Sequence, residues 1–398
     1  MLVIAAPGQG AQAPGFLAPW LELPGVADRI GSWSELAGCD LIRCGTVADA
    51  DEIRNTAIAQ PLLVAAGIAA FGELLGSLGQ APRNVHGAAG HSVGELTAGV
   101  VAGVLSADDA LRLVRVRGAA MAAAAAAEST GMTAVLGGDE AKVLASIEAH
   151  GLTPANVNGA GQIVVAGTTE QLAAFTADPP AGSRLRPLEV AGAFHTRHMA
   201  PAVGALRSAA AAVDVHDPAI TLLSNRDGAV VGTGADWLER IVNQVSAPIR
   251  WDLCMRTMSA LGVTAVIELP PAGTLTALLR RAAPGIQRLA LKTPDDLGKA
   301  RAMVSEHSVS DADGHPPEWR LLVAPFAGTF RSAAPGAAPV APGSLVTIAS
   351  ELGHVEARSD RRPVVAPCPG AIIEWLVEDG DPVSVGQPLL RLQPEGTE

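Results

Sequence analysis

The string GHSVG at residues 90–94 constrains the fold of this chain more than any other part of it. A segment that ends at Val85 can form a strand before it, and the apolar run 95–104 can form a helix after it. Glycines two residues on either side of Ser92 allow a tight turn that pushes the hydroxyl out over the helix N-terminus. Free N–H groups there favour a developing oxyanion. G-x-S-x-G also occurs by chance in loops, so the prediction of a nucleophilic serine depends on this strand-turn-helix context.

The length and composition predict a multidomain globular protein. A chain of 398 residues is too long for one typical domain and predicts two or three. Hydrophobic residues make up 48% and charged residues only 17%, as in well-packed proteins. A net charge of −12 would repel phosphates, which argues against general nucleic-acid binding. An acidic partner therefore has to meet a local basic patch.

The four cysteines and the hydropathy pattern indicate the compartment. The cysteines form no C-x-x-C pair and have no metal-ligand spacing, which favours a reduced intracellular protein and predicts no metal site. No segment has eighteen consecutive apolar residues without a glycine or a charge, so no membrane span is expected. We expect a cytoplasmic protein.

Two motifs carry a resemblance to a known family. The longer string GHSVGE at 90–95 resembles the active-site motif of malonyl-CoA:acyl carrier protein transacylases and of the acyltransferase domains of polyketide and fatty acid synthases. PGQGAQ at 7–12 resembles the N-terminal motif of that family, with Ala11 where serine is usual. The resemblance covers about residues 1–296. It implies an α/β fold, an α/β-hydrolase-like acyltransferase core with a ferredoxin-like subdomain.

The same motifs imply a nucleophile and an oxyanion hole. By the resemblance, Ser92 forms the acyl-enzyme. The main-chain N–H of Gln9 joins that of Val93, the residue after the nucleophile, to bind the oxyanion. Two amides held by the fold need little reorganisation as charge develops.

Three arginines lie on a helix predicted at 110–127, bounded by Ser106-Ala107-Asp108 and Gly131. At 3.6 residues per turn Arg115 and Arg117 face different ways. V-R-G with Met121 following resembles the family's R-G-x-x-M signature, and the resemblance assigns Arg117 to the free carboxylate of the substrate. The planar guanidinium pairs both carboxylate oxygens, so Arg117 should separate malonyl from acetyl substrates.

Further site residues follow from the resemblance. AFHT at 193–196 resembles the family's A-F-H-[ST] motif and makes His195 the general base of Ser92. The stretch 243–251 resembles the segment that orients this histidine, so the main-chain oxygen of Gln244 is expected on His195 Nδ1. PANVN at 154–158 resembles a cleft segment and makes Asn158 a candidate substrate contact, whereas Gln60 is expected to have a packing role.

The pattern changes between 130 and 198. Strands are predicted at 133–136, 162–166 and 185–190, and helices at 139–150 and 169–176. This β-α-β-β-α-β-like order fits a ferredoxin-like insert. The predicted organisation is a malonyl/acyltransferase domain at 1–296 with this subdomain at 130–198, a linker at 297–319 and a β domain at 320–394.

The last of these regions contains a weak internal repeat. VAPFAGTF at 323–330 echoes VAPCPGAI at 365–372, and short strands between Gly, Pro and Asp turns predict a small all-β barrel of two like halves. It resembles the biotinyl/lipoyl carrier domains. No lysine follows Lys299, so biotin or lipoate has no acceptor. We expect residues 320–394 to serve docking, dimerisation or carrier recruitment.

Three functions from different classes remain open at this stage. The first is malonyl transfer from malonyl-CoA to an acyl carrier protein, with no tightly bound cofactor. The second is a (thio)ester hydrolase with the same serine, and the third is a scaffold that recruits a carrier or synthase complex. An acidic carrier requires a basic rim, for which the candidates are Arg184, Arg186, Arg197, Arg250, Arg280 and Arg281.

Overall fold

The computed structural model describes residues 1–76, 84–190, 192–307, 319–333, 339–357 and 360–394. It divides into two compact units. The larger consists of Met1–Gly228 and Thr233–Ser308, and the smaller takes the rest of the chain.

The larger unit alternates strands and helices. Its strands are β1 Leu2–Ala6, β2 Gly87–Gly90, β3 Thr130–Gly137, β4 Thr153–Gly159, β5 Gln162–Thr168, β6 Ser183–Pro187, β7 Thr221–Leu223, β8 Ile249–Arg250, β9 Ala265–Glu268 and β10 Gln287–Ala290. Its helices are α1 Ala18–Leu21, α2 Val26–Ala37, α3 Leu41–Thr46, α4 Ala50–Arg54, α5 Thr56–Leu75, α6 Gly94–Val101, α7 Ala107–Ala126, α8 Glu140–Ala149, α9 Thr169–Ala177, α10 Ala200–Ala210, α11 Gly234–Gln244, α12 Trp251–Ala260, α13 Thr274–Ala282 and α14 Leu297–Glu306.

A parallel sheet of order β10-β9-β1-β2-β7 forms the centre of the larger unit. All five residues of β1 are buried, as expected for a parallel strand that is covered on both faces. β1 and β2 are neighbours, and Ala6 pairs with Gly90 at their carboxyl ends. The turns after these two strands, 7–10 and 91–93, therefore leave the same edge of the sheet side by side.

A second sheet carries the predicted subdomain, with the order β6-β3-β5-β4-β8. The elements β3, α8, β4, β5, α9 and β6 follow one another as β-α-β-β-α-β. The sequence prediction missed β4 because proline and asparagine are rare in strands, and pairing with β5 and β8 overrides that preference. The last strand ends at Pro187 and not at 190 as predicted.

Helices α5 and α7 pack against each other and against α6, which contacts β1 and β2 of the central sheet. α5 is long and apolar enough to cross a membrane, but 83% of its apolar window is buried inside the protein, as in the core helix of a globular unit. α7 begins where Ser106 Oγ accepts a hydrogen bond from the N–H of Asp109, so it starts three residues before the predicted helix. Arg112 and Arg115 are exposed on α7 while Arg117 is buried.

The linker predicted at 297–319 begins too early. Residues 297–306 form α14, and Leu297, Ala300, Met303 and Val304 are buried on one side of it. This spacing of three and four residues is a helical apolar face, which the surrounding charged residues hid in the sequence. Of the rest of the predicted linker, residues 308–318 lie outside the described residues.

The smaller unit is made of strands in its described parts. They are β11 Arg320–Val323, β12 Gly328–Arg331, β13 Leu345–Val346, β14 Glu351–Ala357, β15 Asp360–Val365, β16 Gly370–Trp375, β17 Pro382–Val383 and β18 Pro388–Pro394. They form two antiparallel sheets, β11-β18-β16-β13 and β15-β14-β12-β17. Each strand of the first sheet has a counterpart four strands earlier or later in the second. β11 and β13 correspond to β15 and β17, and β18 and β16 correspond to β14 and β12, in the same order across the sheet. The two halves of the repeat are thus arranged alike, around an apolar core that includes Phe330, Leu389 and Leu392.

Candidate active site

Ser92 lies at a sharp bend between β2 and α6. Its φ of 55° is in the left-handed region, which a residue with a side chain rarely adopts. The flanking glycines make the bend possible, because a Cβ at Gly94 would lie 2.2 Å from the carbonyl oxygen of Ala6. A Cβ at Gly90 would lie 2.0 Å from the carbonyl carbon of Gly94. The structure therefore contains a strand-turn-helix at Ser92, but its strand is Gly87–Gly90 and begins after Val85, where the predicted strand ends.

His195 contacts the hydroxyl of Ser92. The distance from Ser92 Oγ to His195 Nε2 is 2.7 Å, and His195 Nδ1 lies 2.9 Å from the main-chain oxygen of Gln244. A carbonyl oxygen only accepts, so Nδ1 carries the proton and Nε2 is left to accept from Ser92. The structure thus joins Ser92, His195 and Gln244 in the order nucleophile, base and orienting carbonyl.

The environment keeps His195 neutral. Its side chain is buried, and this burial, together with the positive charge of Arg117, lowers the pKa of His195 to about 3. The hydrogen bond to Gln244 acts in the opposite direction but is the weaker influence. A neutral imidazole can take a proton throughout the physiological pH range.

The main-chain N–H groups of Gln9 and Val93 lie on adjacent turns at the edge of the parallel sheet. A Cβ at Gly8 would lie 2.8 Å from the main-chain oxygen of His91, so the two turns touch. Within the described residues, neither N–H donates a hydrogen bond. The N–H of Ser92 itself is occupied, because it donates to Asn225 Oδ1 at 2.6 Å. These two free donors match the requirements of an oxyanion hole.

Arg117 brings a buried positive charge next to the nucleophile. Its Nη2 is 3.4 Å from Ser92 Oγ and 2.8 Å from Gln244 Oε1, and its Nη1 is 2.7 Å from Gln60 Oε1. Burial lowers the pKa of Arg117 to about 10, with the charge of Glu95 acting against that change, so the guanidinium is a cation at neutral pH. Its buried Nε has no hydrogen-bond partner within the described residues.

The structure places Asn158 against the residue that precedes the nucleophile. Asn158 is 7% exposed, and its Oδ1 is 2.9 Å from His91 Nε2. The His91 ring in turn meets Trp251 edge to face, with 5.9 Å between ring centroids. Asn158 thus contacts the residue next to the nucleophile, and the substrate contact expected from the sequence stays a prediction.

Sequence reasoning missed three polar residues that hold the site together. They are Gln60, Glu95 and Asn225. Gln60 was assigned to packing, but its side-chain oxygen accepts a hydrogen bond from Arg117. Glu95 was present as the last letter of GHSVGE, and an acidic residue in an otherwise apolar helix start was the available signal. Asn225 carries no local signal, because it reaches Ser92 only through the fold.

The chemistry that fits this geometry is acyl transfer through a serine ester. A nucleophile, a neutral base with an oriented proton and two unpaired N–H donors meet at one sheet edge. The described residues contain no group of three or more His, Cys, Asp or Glu side chains arranged to hold a metal ion.

The larger unit is similar in sequence and structure to known proteins. The acyl transferase domain family matches residues 7–294. The malonyl CoA-acyl carrier protein transacylase of Mycobacterium tuberculosis is 51% identical over 297 residues, 75% of this chain and 98% of that protein. The crystal structure of MCAT from Mycobacterium tuberculosis has a TM-score of 0.72 at 49% identity and covers 76% of this chain and 99% of its own.

A second solved structure contains a partner. It is a malonyl-transacylase in complex with a type II PKS acyl-carrier protein, PlMCAT:AntF, with a TM-score of 0.70 and 28% identity over 76% of this chain and 99% of its own. The match to almost the whole length of these proteins, with half of the residues identical in the mycobacterial one, extends to the GHSVGE region and its surroundings. The chain therefore belongs to the acyl transferase domain family, among the malonyl-CoA:acyl carrier protein transacylases.

Proposed function

We propose that this protein transfers a malonyl group from malonyl-CoA to the phosphopantetheine thiol of an acyl carrier protein, in fatty acid or polyketide biosynthesis. Ser92 Oγ attacks the thioester carbonyl while its proton passes to His195 Nε2. The C–S bond breaks, and the coenzyme A thiolate takes that proton and leaves. The carrier thiol then gives its proton to His195 Nε2 and attacks the serine ester. The bond between the acyl carbon and Ser92 Oγ breaks, Ser92 Oγ takes the proton back from His195, and the malonyl thioester of the carrier leaves. No tightly bound cofactor takes part.

The remaining roles follow from position. The N–H groups of Gln9 and Val93 hold the oxyanion in both half-reactions. Arg117 pairs with the malonyl carboxylate, and the carbonyl of Gln244 keeps the proton on His195 Nδ1. Asn158, which contacts His91, remains a candidate for binding the substrate.

One observation supports this function over a hydrolase. The buried cation of Arg117 lies 3.4 Å from the nucleophile, where the acyl chain of the ester would lie. A neutral ester offers nothing to pair with this charge, whereas malonyl ends in a carboxylate that does. A buried cation that its substrate leaves unpaired would be destabilising.

Intact-protein mass spectrometry tests the proposal directly. The protein is incubated with malonyl-CoA, acetyl-CoA and methylmalonyl-CoA, with Ser92→Ala as the control. We expect a malonyl adduct in the wild type and no adduct in the variant. Coenzyme A release without any adduct would favour the hydrolase, and the absence of both would favour the scaffold.

Five of the six candidate arginines are suited to meet an acidic carrier. Arg250 is not among them, because it pairs with Asp252 at 2.8 Å. The others are exposed, and none forms an ion pair within the described part of the chain. They are Arg184, Arg186, Arg197, Arg280 and Arg281.

Charge reversal tests this surface. We expect Arg184→Glu with Arg186→Glu on β6 to raise the carrier KM by about tenfold, since rim charges mainly affect encounter. Acylation by malonyl-CoA should be unchanged. Lys299→Glu, a reversal of an exposed charge on α14, is the matched control. An unchanged carrier KM in the double variant would remove β6 from the docking surface.

For the smaller unit we propose a biotinyl/lipoyl-like barrel that has lost its attachment site and serves docking, dimerisation or carrier recruitment. Its two like halves support this assignment. In such domains the modified lysine lies on a hairpin. The hairpin of β14 and β15 contains no lysine, and no lysine follows Lys299 anywhere in the sequence. Co-expression with a biotin ligase or a lipoyl ligase should leave its mass unchanged, and a gain of one biotin or lipoyl group would refute the assignment.

The four cysteines are all free, which supports a cytoplasmic location for this reaction. Expression with fluorescent tags and fractionation would test it.

A further inference from the structure

Glu95 is a buried carboxyl group to which the proposed mechanism assigns no role. It is 1% exposed on the first turn of α6, three residues after the nucleophile. Its Oε2 accepts from Gln244 Nε2 at 2.5 Å, and its Oε1 accepts from the main-chain N–H of Asn225 at 2.5 Å. Both partners contact site residues, Asn225 the N–H of Ser92 and Gln244 both Arg117 and His195. Glu95 is therefore one hydrogen bond removed from the site.

Gln244 links Glu95 to the two functional side chains. Its side-chain oxygen accepts from Arg117 Nη2, and its main-chain oxygen accepts from His195 Nδ1. Arg117 has only donors, so the oxygen of the Gln244 amide has to face it. The NH2 group of that amide then faces Glu95, where it needs an acceptor.

Glu95 is suited to be that acceptor. Burial raises the pKa of Glu95 to about 8, although the N–H of Asn225, the charges of Arg240 and Arg117 and the hydroxyl of Ser224 act in the opposite direction. Within the described residues both carboxyl oxygens face donors, Oε1 the N–H of Asn225 and Oε2 the NH2 group of Gln244, so the geometry makes each oxygen an acceptor.

We propose that Glu95 is a positioning residue for acyl selection: by accepting from Gln244 it fixes the orientation of that amide, and the amide oxygen in turn holds Arg117 in the geometry that binds the malonyl carboxylate. This inference rests on the proposed function. Glu95 touches neither the substrate nor the reacting atoms and acts through Gln244.

A glutamine at position 95 would break this order of donors and acceptors. If its oxygen stays on Asn225, its NH2 group meets the NH2 group of Gln244. If Gln244 then rotates its amide, two donors face each other at Arg117. One contact is lost in every arrangement, and a buried polar group is left without a partner.

The test compares acylation by malonyl-CoA and acetyl-CoA in Glu95→Gln, Gln244→Ala and the double variant. We expect each single variant to lower the malonyl-to-acetyl rate ratio by about tenfold, the effect of one lost buried hydrogen bond. The malonyl-to-acetyl rate ratio of the double variant should be no lower than that of the more impaired single variant, because Glu95 acts through Gln244. The main-chain oxygen of Gln244 survives in all three, so acetyl transfer should change much less than malonyl transfer.

Glu268→Gln provides a matched control. Glu268 is a fully buried carboxyl group of the same unit that accepts from the N–H groups of Gly273, Leu275 and Thr276, and it forms no hydrogen bond with Arg117, Gln244 or His195 within the described residues. It should lower thermal stability and leave the malonyl-to-acetyl ratio unchanged. If Glu95→Gln does not fold, Gln244→Ala still tests whether the amide sets the ratio.

The outcomes separate this inference from the proposed function. An unchanged ratio in Glu95→Gln, or effects of the two single changes that multiply in the double variant, overturns the role of Glu95. If the wild type forms no malonyl adduct, the proposed function itself fails.

Discussion

The two units differ most in what they bury. Among the described residues, seventeen polar or charged side chains are buried, and His354 is the single one that belongs to the smaller unit. Those of the larger unit include the whole network of Arg117, Gln244 and Glu95 around Ser92. Buried polar groups are tolerated where they are paired, so this network marks the place where the protein does chemistry.

The smaller unit shows the opposite pattern at its surface. Of the eight exposed large hydrophobic side chains of the described residues, six belong to it, and they include Leu345 at 72% and Ile348 at 65% exposure. Its interior is apolar and its core is made of aliphatic and aromatic side chains. The difference teaches that the larger unit concentrates buried polar groups around Ser92, whereas the smaller unit has an apolar interior and carries most of the exposed large hydrophobic side chains of the described residues.

The largest expected effect comes from removing the base. His195→Ala should slow acylation by malonyl-CoA by on the order of 10⁴-fold, because no other group among the described residues contacts Ser92 Oγ as a proton acceptor. Rapid-quench mass spectrometry measures the rate. His198→Ala, three residues further on and paired with Glu128, is the control and should stay within about twofold. A rate close to wild type in His195→Ala would move catalysis away from this unit's polar network.

The second effect separates binding of the acyl group from chemistry. Arg117→Ala should lower the malonyl acylation rate by on the order of 10²-fold, the expected loss for a buried charge pair, while acetyl acylation rises. Arg115→Ala is the matched control, an exposed arginine on the same helix. An unchanged malonyl preference in Arg117→Ala would contradict its assignment to the carboxylate.

The third prediction moves to the smaller unit. Phe330 is fully buried there and its ring lies 5.3 Å from that of Trp375. Phe330→Ala should destabilise this unit by about 3–5 kcal/mol, with acylation by malonyl-CoA unchanged. Calorimetry and the acylation rate are measured on the same samples, with the half-buried Phe326→Ala as the milder control. A parallel loss of acylation would show that the two units are not separable in function.

The smallest expected effect is on the pH profile. Because the pKa of His195 is lowered to about 3, the acylation rate should show no inflection near pH 6.5, the ordinary value for histidine. The sign for stability follows from the same shift. Between pH 6.5 and about 3 the unfolded state binds a proton at His195 and the folded state does not. The contribution of His195 to the free energy of unfolding is therefore complete above pH 6.5 and is lost as the pH falls towards about 3. A histidine-like inflection in the acylation rate would contradict the burial of the base.

The sequence predicts most accurately those features that depend on residues close together in the chain. The bend at Ser92 and, apart from β4, the strands and helices of residues 130–187 follow from local motifs and periodicity. Asn225 and Gln60 could not be found in this way. They lie far in sequence from the residues that they contact, Ser92 for Asn225 and Arg117 for Gln60, so their role depends on tertiary structure alone.

The arrangement of Arg117 between Gln60 and Gln244 has an evolutionary consequence. A single substitution that discards the arginine to accept an uncharged acyl group would strand two buried amide oxygens, each of which now receives one of its N–H groups. A relative with altered acyl preference is therefore expected to have changed these glutamines along with the arginine. Acyl preference would then be inherited as a set of three positions, and single-step drift between substrates would be selected against.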